Sequence, residues 1–206
     1  MKLEIYVIEI SLRISMENPH LYLMGFAPGS RIPKFVTVTD DQGREVPDAE
    51  PPTQKPDKVR VHLPAGVEVM DRMLTSGREL ILSRRAFETL AELRLPADLV
   101  VIPCEWTGPG AQMIQRDYVY CYADSSHEVL DPQFGRAKRV GKHILSVFDW
   151  ALKWEVIPEL DLFQGETGKW FVKDGFVNAV FNHHLTGFGF TRVPVYSSET
   201  ANPSEE

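Results

Sequence analysis

Alternating apolar and polar positions predict β-strands over much of the chain. Residues 3–10 alternate with apolar side chains on both faces, which is typical of a strand inside a sheet. The segments 19–26 and 34–40 predict two further strands, and another begins at 59–61. Between them, residues 40–58 are rich in Pro and Asp without periodicity and therefore predict a long surface loop.

A helical period follows a short strand in the middle of the chain. The apolar strand 79–83 ends at Ser83, a candidate N-cap for the helix that follows. Apolar residues then recur at helical spacing over 84–95, before Pro96 stops the helix. The run 98–106 predicts a buried strand, so this part of the chain is a strand–helix–strand unit.

The C-terminal part repeats that order after a strand over 117–123, in which tyrosines alternate with small apolar residues. A strand over 169–173 precedes Asp174, a second candidate N-cap. The pattern predicts an amphipathic helix over 175–185 and a closing strand over 188–196. Two explanations remain open: the two strand–helix–strand units are related, or two ordinary modules resemble each other by chance.

These elements together predict an α+β fold, mainly an antiparallel sheet with two packed helices. We expect one domain over residues 1–196, with 1–76 as a candidate N-terminal lobe. The polar, acidic segment 197–206 is predicted to be a disordered tail.

Composition and charge narrow the possible functions. Of 206 residues, 43% are hydrophobic and 25% charged, as in ordinary soluble proteins, and no run of about 18 apolar residues predicts a membrane span. The net charge of −7 argues against a nucleic-acid partner. Basic residues come in short runs only, such as 83–86 and 135–143, and the latter is either a small basic face or, as we expect, a solvated loop. Cys104 and Cys121 lie in apolar runs and predict buried thiols in a reducing, cytoplasmic compartment.

Histidines and carboxylates offer only weak evidence for chemistry. His183 and His184 are adjacent, so on a helix they point about 100° apart and do not easily share one metal ion. We interpret them as the end of the second helix, with Gly187 supplying a left-handed turn. The group 124–131 is either a cation site or, as we expect, a polar loop. No catalytic residue, metal site or cofactor is predicted.

The segment 154–166 is the best candidate for a binding surface, because aromatic and acidic residues interleave there. Exposed aromatic anchors surrounded by carboxylates favour a basic protein partner. The alternative is that Trp150 and Trp154 belong to the core and the acids merely face water. The candidate partner-binding residues are Trp154, Glu155, Glu159, Asp161 and Glu166.

The C-terminal unit also carries a family resemblance. It has an apolar pair in a strand, a polar residue opening a helix, a Leu-Thr-Gly break and a last strand with alternating Phe. The matching residues are Phe171, Val172, Asp174, Leu185, Thr186, Gly187, Phe188, Phe190 and Val193. This pattern resembles the closing segment of immunity proteins from bacterial polymorphic toxin systems. Residues 80–103 are similar less tightly, so the resemblance covers about 78–196, and Lys173 departs from the usual acidic or polar residue.

The resemblance implies a cytoplasmic protein without catalytic activity or cofactor, which binds one cognate toxin and blocks it. A basic toxin would suit the charge of −7. Two alternatives are a small hydrolase that uses His127 or His183, and a generic protein-binding module.

Overall fold

The computed structural model describes most of the chain from His20 onward. The described residues are 20–25, 36–39, 56–73, 75, 78–141 and 143–197. The predicted strand over 3–10, the greater part of the predicted loop over 40–58 and the tail after Ser197 lie outside them.

The described part contains fourteen strands and two α-helices, which confirms the predicted α+β class and its mainly antiparallel sheets. The helices are α1 (Arg84–Leu90) and α2 (Asp174–Asn182). The strands are β1 (Leu21–Gly25), β2 (Thr37–Thr39), β3 (Val59–His62), β4 (Arg72–Met73), β5 (Leu80–Ser83), β6 (Leu99–Thr107), β7 (Tyr118–Ala123), β8 (Arg136–Val140), β9 (His143–Asp149), β10 (Leu152–Lys153), β11 (Leu162–Gln164), β12 (Trp170–Lys173), β13 (Gly189–Val193) and β14 (Val195–Tyr196).

The two strand–helix–strand units share one topology. In the first unit, β5 and β6 both pair antiparallel with β7, which lies between them in a six-stranded sheet ordered β2-β3-β6-β7-β5-β4. In the second unit, β12 and β13 both pair antiparallel with β1, in a four-stranded sheet ordered β11-β12-β1-β13. Each unit is therefore a split strand–helix–strand arrangement with a third strand inserted.

The helices begin close to their predicted positions. The Ser83 hydroxyl accepts a hydrogen bond from the Ala86 amide at 3.1 Å, so the predicted cap of α1 is confirmed. The prediction for α2 was wrong by one residue: Lys173 is the cap and Asp174 is the first helical residue. The carboxylate of Asp174 instead accepts hydrogen bonds from the His20 amide and the Tyr22 hydroxyl. Neither described helix is long and apolar enough to cross a membrane.

Both main sheets are buried on both faces, and the helices lie between them. Along β7, the intervening residues Val119, Cys121 and Ala123 join the core that contains both helices, whereas the three tyrosines face a second core. On β12, Val172 faces the helices and Phe171 faces a third core. The strict alternation predicted for β7 follows from this two-sided burial.

A buried carboxylate, Asp71, links the two units. Its Oδ1 accepts hydrogen bonds from the Ser83 hydroxyl at 2.8 Å and from the Arg116 guanidinium at 2.9 Å. Its Oδ2 accepts from the amide and hydroxyl of Thr186 at 3.0 and 3.1 Å. Asp71 therefore joins the start of α1 to the Leu-Thr-Gly break that follows α2.

The basic run is the clearest correction to the sequence-based interpretation. Residues 135–143 were expected to form a solvated loop, but most of them belong to β8 and β9, a separate antiparallel hairpin with irregular register. The sequence of β8 lacks the apolar–polar alternation of a half-buried strand, because most of its side chains are exposed. We call residues 134–149 the arm.

Candidate functional site

A cleft of about 700 Å³ gathers three separate parts of the chain. The turn Trp154–Val156 and the segment that leads to β11 form one wall of the cleft. The junction of β12 with α2 forms the second wall, and Arg94, which follows α1, forms the third side. The lining residues are Arg94, Trp154, Glu155, Ile157, Glu159, Asp161, Lys173, Asp174 and Gly175. Four of the five candidate partner-binding residues therefore meet in one cleft, and Glu166 is not among its lining residues.

Asp161 and Arg94 form the back of the cleft. The carboxylate of Asp161 is largely buried and receives two side-chain hydrogen bonds from Arg94, both at 3.2 Å, and one from the Arg94 amide at 3.0 Å. Burial raises the pKa of Asp161, but the hydrogen bonds and charge of Arg94 outweigh it, so the pKa lies below its usual value. Asp161 thus ties the end of the α1 unit to β11.

Lys173 places a second cation at this cleft. Its ammonium donates a hydrogen bond to the Pro158 carbonyl at 2.7 Å, and the side chain is 8% exposed. Burial and the neighbouring charge of Arg94 lower the pKa of Lys173, although Asp161 and Glu159 act in the opposite direction. Lys173 therefore has a structural role, since it fixes the segment that carries the acidic rim.

Trp154, Glu155 and Glu159 form the accessible rim. Trp154 is half-buried, whereas Glu155 and Glu159 are exposed, and the neighbouring Val156 is 43% exposed. The short turn that carries Trp154 closes through a hydrogen bond from the Ile157 amide to the Trp154 carbonyl at 3.1 Å. An apolar ring and two carboxylates are thus presented together on ordered backbone.

Glu166 lies elsewhere and has internal partners. Its carboxylate accepts hydrogen bonds from the amides of Val129 and Leu130, both at 3.0 Å, and its own amide donates to the His127 carbonyl. The segment 124–131, predicted as a polar loop, therefore connects two strands, and its backbone is held beside β11 by hydrogen bonds to Glu166. Proximity in sequence placed Glu166 with the other acids, but the turn after Gln164 directs it away from the cleft.

The histidine pair finishes α2 as expected. His183 is the C-terminal cap residue, and its carbonyl accepts a hydrogen bond from Arg85. The assignment of the left-handed turn to Gly187 was wrong: His184, with φ of +51°, turns the chain out of α2, and the Leu185 amide donates to the Val180 carbonyl at 3.0 Å to close that end. Gly187, with φ of +85°, turns the chain again three residues later. His127 packs edge-on against Phe163 at 5.9 Å between ring centroids. Neither His127 nor His183 lines the cleft.

Sequence reasoning missed three charged residues of the cleft. Arg94 and Lys173 carry no motif, and Asp174 was interpreted only as a helix cap. They meet the segment 154–161 through tertiary packing, and no local spacing could have signalled it. Within the part of the chain that the structure describes, no group of three His, Cys, Asp or Glu side chains is placed to hold a metal ion.

No protein-family model matches the sequence. A search of curated proteins likewise finds no match.

Proposed function

We propose that this chain is a cytoplasmic immunity protein that binds one cognate toxin protein and blocks it without catalysis. The observation that carries the proposal is the cleft, where Trp154 shares one concave surface with the exposed carboxylates of Glu155 and Glu159. The family resemblance of the C-terminal unit supports the same role.

The chemistry of the cleft suits a basic protein partner. A tryptophan at the edge of a concave surface is a favourable anchor, because its large ring is buried at little cost in side-chain entropy. Carboxylates around such an anchor increase the association rate for a positively charged partner and set its orientation. The net charge of −7 acts in the same direction over longer distances.

The residues that carry the resemblance have packing and turn roles. Leu185 and Phe188 are buried in the core shared by both helices, and Thr186 holds Asp71. A side chain at Gly187 would lie 2.2 Å from the Arg72 carbonyl oxygen, so the break accepts only glycine. These positions stabilise the fold, while the cleft would determine which toxin is bound.

The test is co-purification with the polypeptide encoded by the gene beside this chain. We expect a one-to-one complex with a dissociation constant below about 1 µM, and loss of the toxin's activity at equimolar amounts. Absence of a complex at micromolar concentration would contradict the proposal. A complex in which the toxin stays fully active would leave only a generic binding module.

A further inference from the structure

The arm, residues 134–149, stands apart from both main sheets. β8 and β9 pair with each other and with no other strand of the described part, and neither packs extensively against another described element. An isolated two-stranded hairpin is marginally stable in water. The arm should therefore be stabilised by contacts at its base and by any surface that covers it.

The base of the arm is firmly held by Asp131. The amide of this buried residue donates a hydrogen bond to the Ala151 carbonyl at 2.8 Å. Its carboxylate accepts from the amides of Gln133 and Phe134, and its carbonyl accepts from Gly135 at 2.8 Å. A Cβ at Gly135 would lie 2.6 Å from that carbonyl, so the turn is tightly packed. The arm projects from a defined anchor.

The arm concentrates the exposed apolar side chains of the protein. Seven large hydrophobic residues are exposed in the described part, and four of them lie here: Phe134, Val140, Leu145 and Phe148. Val140 and Leu145 are each 59% exposed and Phe148 is 60% exposed. Exposed apolar side chains concentrated on one hairpin mark an interaction surface more often than isolated exposed residues do.

Charge is segregated between the arm and the body. Residues 134–149 contain four basic residues and one aspartate, a net charge of +3, so the chain total of −7 leaves −10 for the rest. The seven residues of β9 span about 20 Å, at roughly 3.3 Å per residue, whereas the Debye length is about 8 Å at physiological salt. Lys138 and Arg139 are exposed on β8. Cations of the arm that lie beyond the Debye length from the body are screened from it, so they can interact with carboxylates of another molecule.

The complementary surface is on the same chain. The arm ends at Asp149, and the acidic, aromatic cleft begins five residues later at Trp154. The cleft offers a half-buried indole and the exposed carboxylates of Glu155 and Glu159. Because the arm and the cleft belong to the same chain, a two-fold axis can place each arm on the cleft of the other copy, which closes the assembly at two chains.

We propose that two copies of this chain form a dimer by reciprocal insertion of each arm into the cleft of the other. The 16 residues of the arm and the nine that line the cleft fit the roughly 20–30 residues per side of a standard interface. Edge-to-edge pairing of two arms is disfavoured by their like charge. In this dimer the cleft is covered, so a partner that binds the cleft competes with self-association. The inference is independent of the proposed function.

Sedimentation velocity on the full chain tests the dimer. Between about 1 and about 200 µM we expect the mass to rise from 23.4 kDa towards twice that value, and added salt to weaken the association. Two charge-reversal variants, K138E/R139E on the arm and E155K/E159K on the cleft, should each raise the dimer dissociation constant at least about 10-fold. Leu145→Asp should do the same, because it removes an apolar contact at the tip.

An equimolar mixture of the two charge-reversal variants is the decisive measurement. In a mixed dimer, the acidic arm of one variant meets the basic cleft of the other, and the remaining arm and cleft are unchanged. We therefore expect a heterodimer that forms within about 3-fold of the wild-type affinity, while each variant alone stays monomeric. The control variant E68K/E88K reverses two exposed carboxylates outside the cleft and should dimerise normally.

Three outcomes would overturn the proposal. The first is a wild-type chain that stays monomeric up to about 200 µM, well above the dissociation constants of ordinary transient dimers. The second is a dimer that both charge-reversal variants leave intact, or a mixture that restores nothing. The third is a monomer that binds vesicles containing phosphatidylglycerol and loses this binding with K138E/R139E, since an anionic lipid surface would then be the occupant of the arm.

Discussion

Removing the Asp71 carboxylate should destabilise the fold, because this side chain links the two strand–helix–strand units. Asp71 is 2% exposed and receives four hydrogen bonds, from Ser83, Arg116 and the amide and hydroxyl of Thr186. The contact with Arg116 contributes little, because that side chain is 47% exposed and regains water when the partner is lost. Ser83 is buried, so its hydroxyl would be left without an acceptor in the interior, whereas Thr186 is an exposed residue whose two hydrogen bonds to Asp71 are only partly buried.

The expected cost follows from the buried Ser83 donor and the partly buried Thr186 donors. A hydrogen bond to a charged group contributes about 1.5–3 kcal/mol, and a buried donor left without its acceptor costs about 1–3 kcal/mol. We therefore expect Asp71→Ala to lower the free energy of unfolding by about 2–4 kcal/mol. That is a large fraction of the roughly 5–15 kcal/mol of a typical domain. Asp71→Asn keeps the shape and should lose about 2–3 kcal/mol.

Urea unfolding followed by tryptophan fluorescence measures these changes. Arg116→Ala is the matched control and should cost less than about 1 kcal/mol, because it removes only the exposed partner. A loss of less than about 1 kcal/mol for Asp71→Ala would refute the view that this carboxylate joins the units.

The pH dependence provides an independent check. Burial raises the pKa of Asp71, but the hydrogen bonds from Thr186 and Ser83 and the charge of Arg116 outweigh it, so the folded pKa is depressed. A depressed folded pKa stabilises the protein above the unfolded value of about 3.9, and this stabilisation is lost as pH falls through the folded value. The stability difference between wild type and Asp71→Asn should therefore shrink below about pH 4.

Three further predictions concern single residues. Asp161→Ala should cost about 1–3 kcal/mol in urea unfolding, because the Arg94 amide loses its acceptor, whereas the Arg94 guanidinium is 61% exposed and regains water; an unchanged midpoint would contradict this. Gly187→Ala should cost more than about 2 kcal/mol, because a Cβ would clash with the Arg72 carbonyl, whereas Gly66→Ala, also at positive φ but in open space, should cost about 1 kcal/mol. Burial raises the pKa of Cys121 to about 12, so native protein at about pH 8 should resist alkylation there, as mass spectrometry can show; rapid labelling would refute it.

The sequence predicts the elements of this fold well where burial produces a regular pattern of apolar residues. The strand β7 is predicted correctly because a core covers each of its faces, so its two sets of alternating residues differ in size. The start of α1 is also predicted correctly, since Ser83 caps the helix through a local hydrogen bond. The arm could not be predicted from the sequence. Both faces of this hairpin are exposed, so burial imposes no alternation of apolar and polar residues on its strands.

The cleft is predictable only in part. The segment 154–161 is marked by its own composition, but Arg94 and Lys173 arrive from other elements. Asp161 and Glu166 resembled free carboxylates in the sequence, whereas the structure gives each of them internal hydrogen-bond donors. Charge and spacing indicate which residues are acidic, but tertiary packing decides which of them remain accessible.

The most direct test of the proposed function is the affinity of the cleft variant E155K/E159K for the proposed toxin partner, the polypeptide encoded beside this chain, measured by calorimetry beside E68K/E88K. Both variants change the net charge equally, and all four carboxylates are exposed. We expect the cleft variant to bind at least about 10-fold more weakly, equivalent to about 1.4 kcal/mol, while the control stays within about 3-fold of wild type. Equal affinities for the two variants would show that the toxin binds elsewhere and would contradict the account.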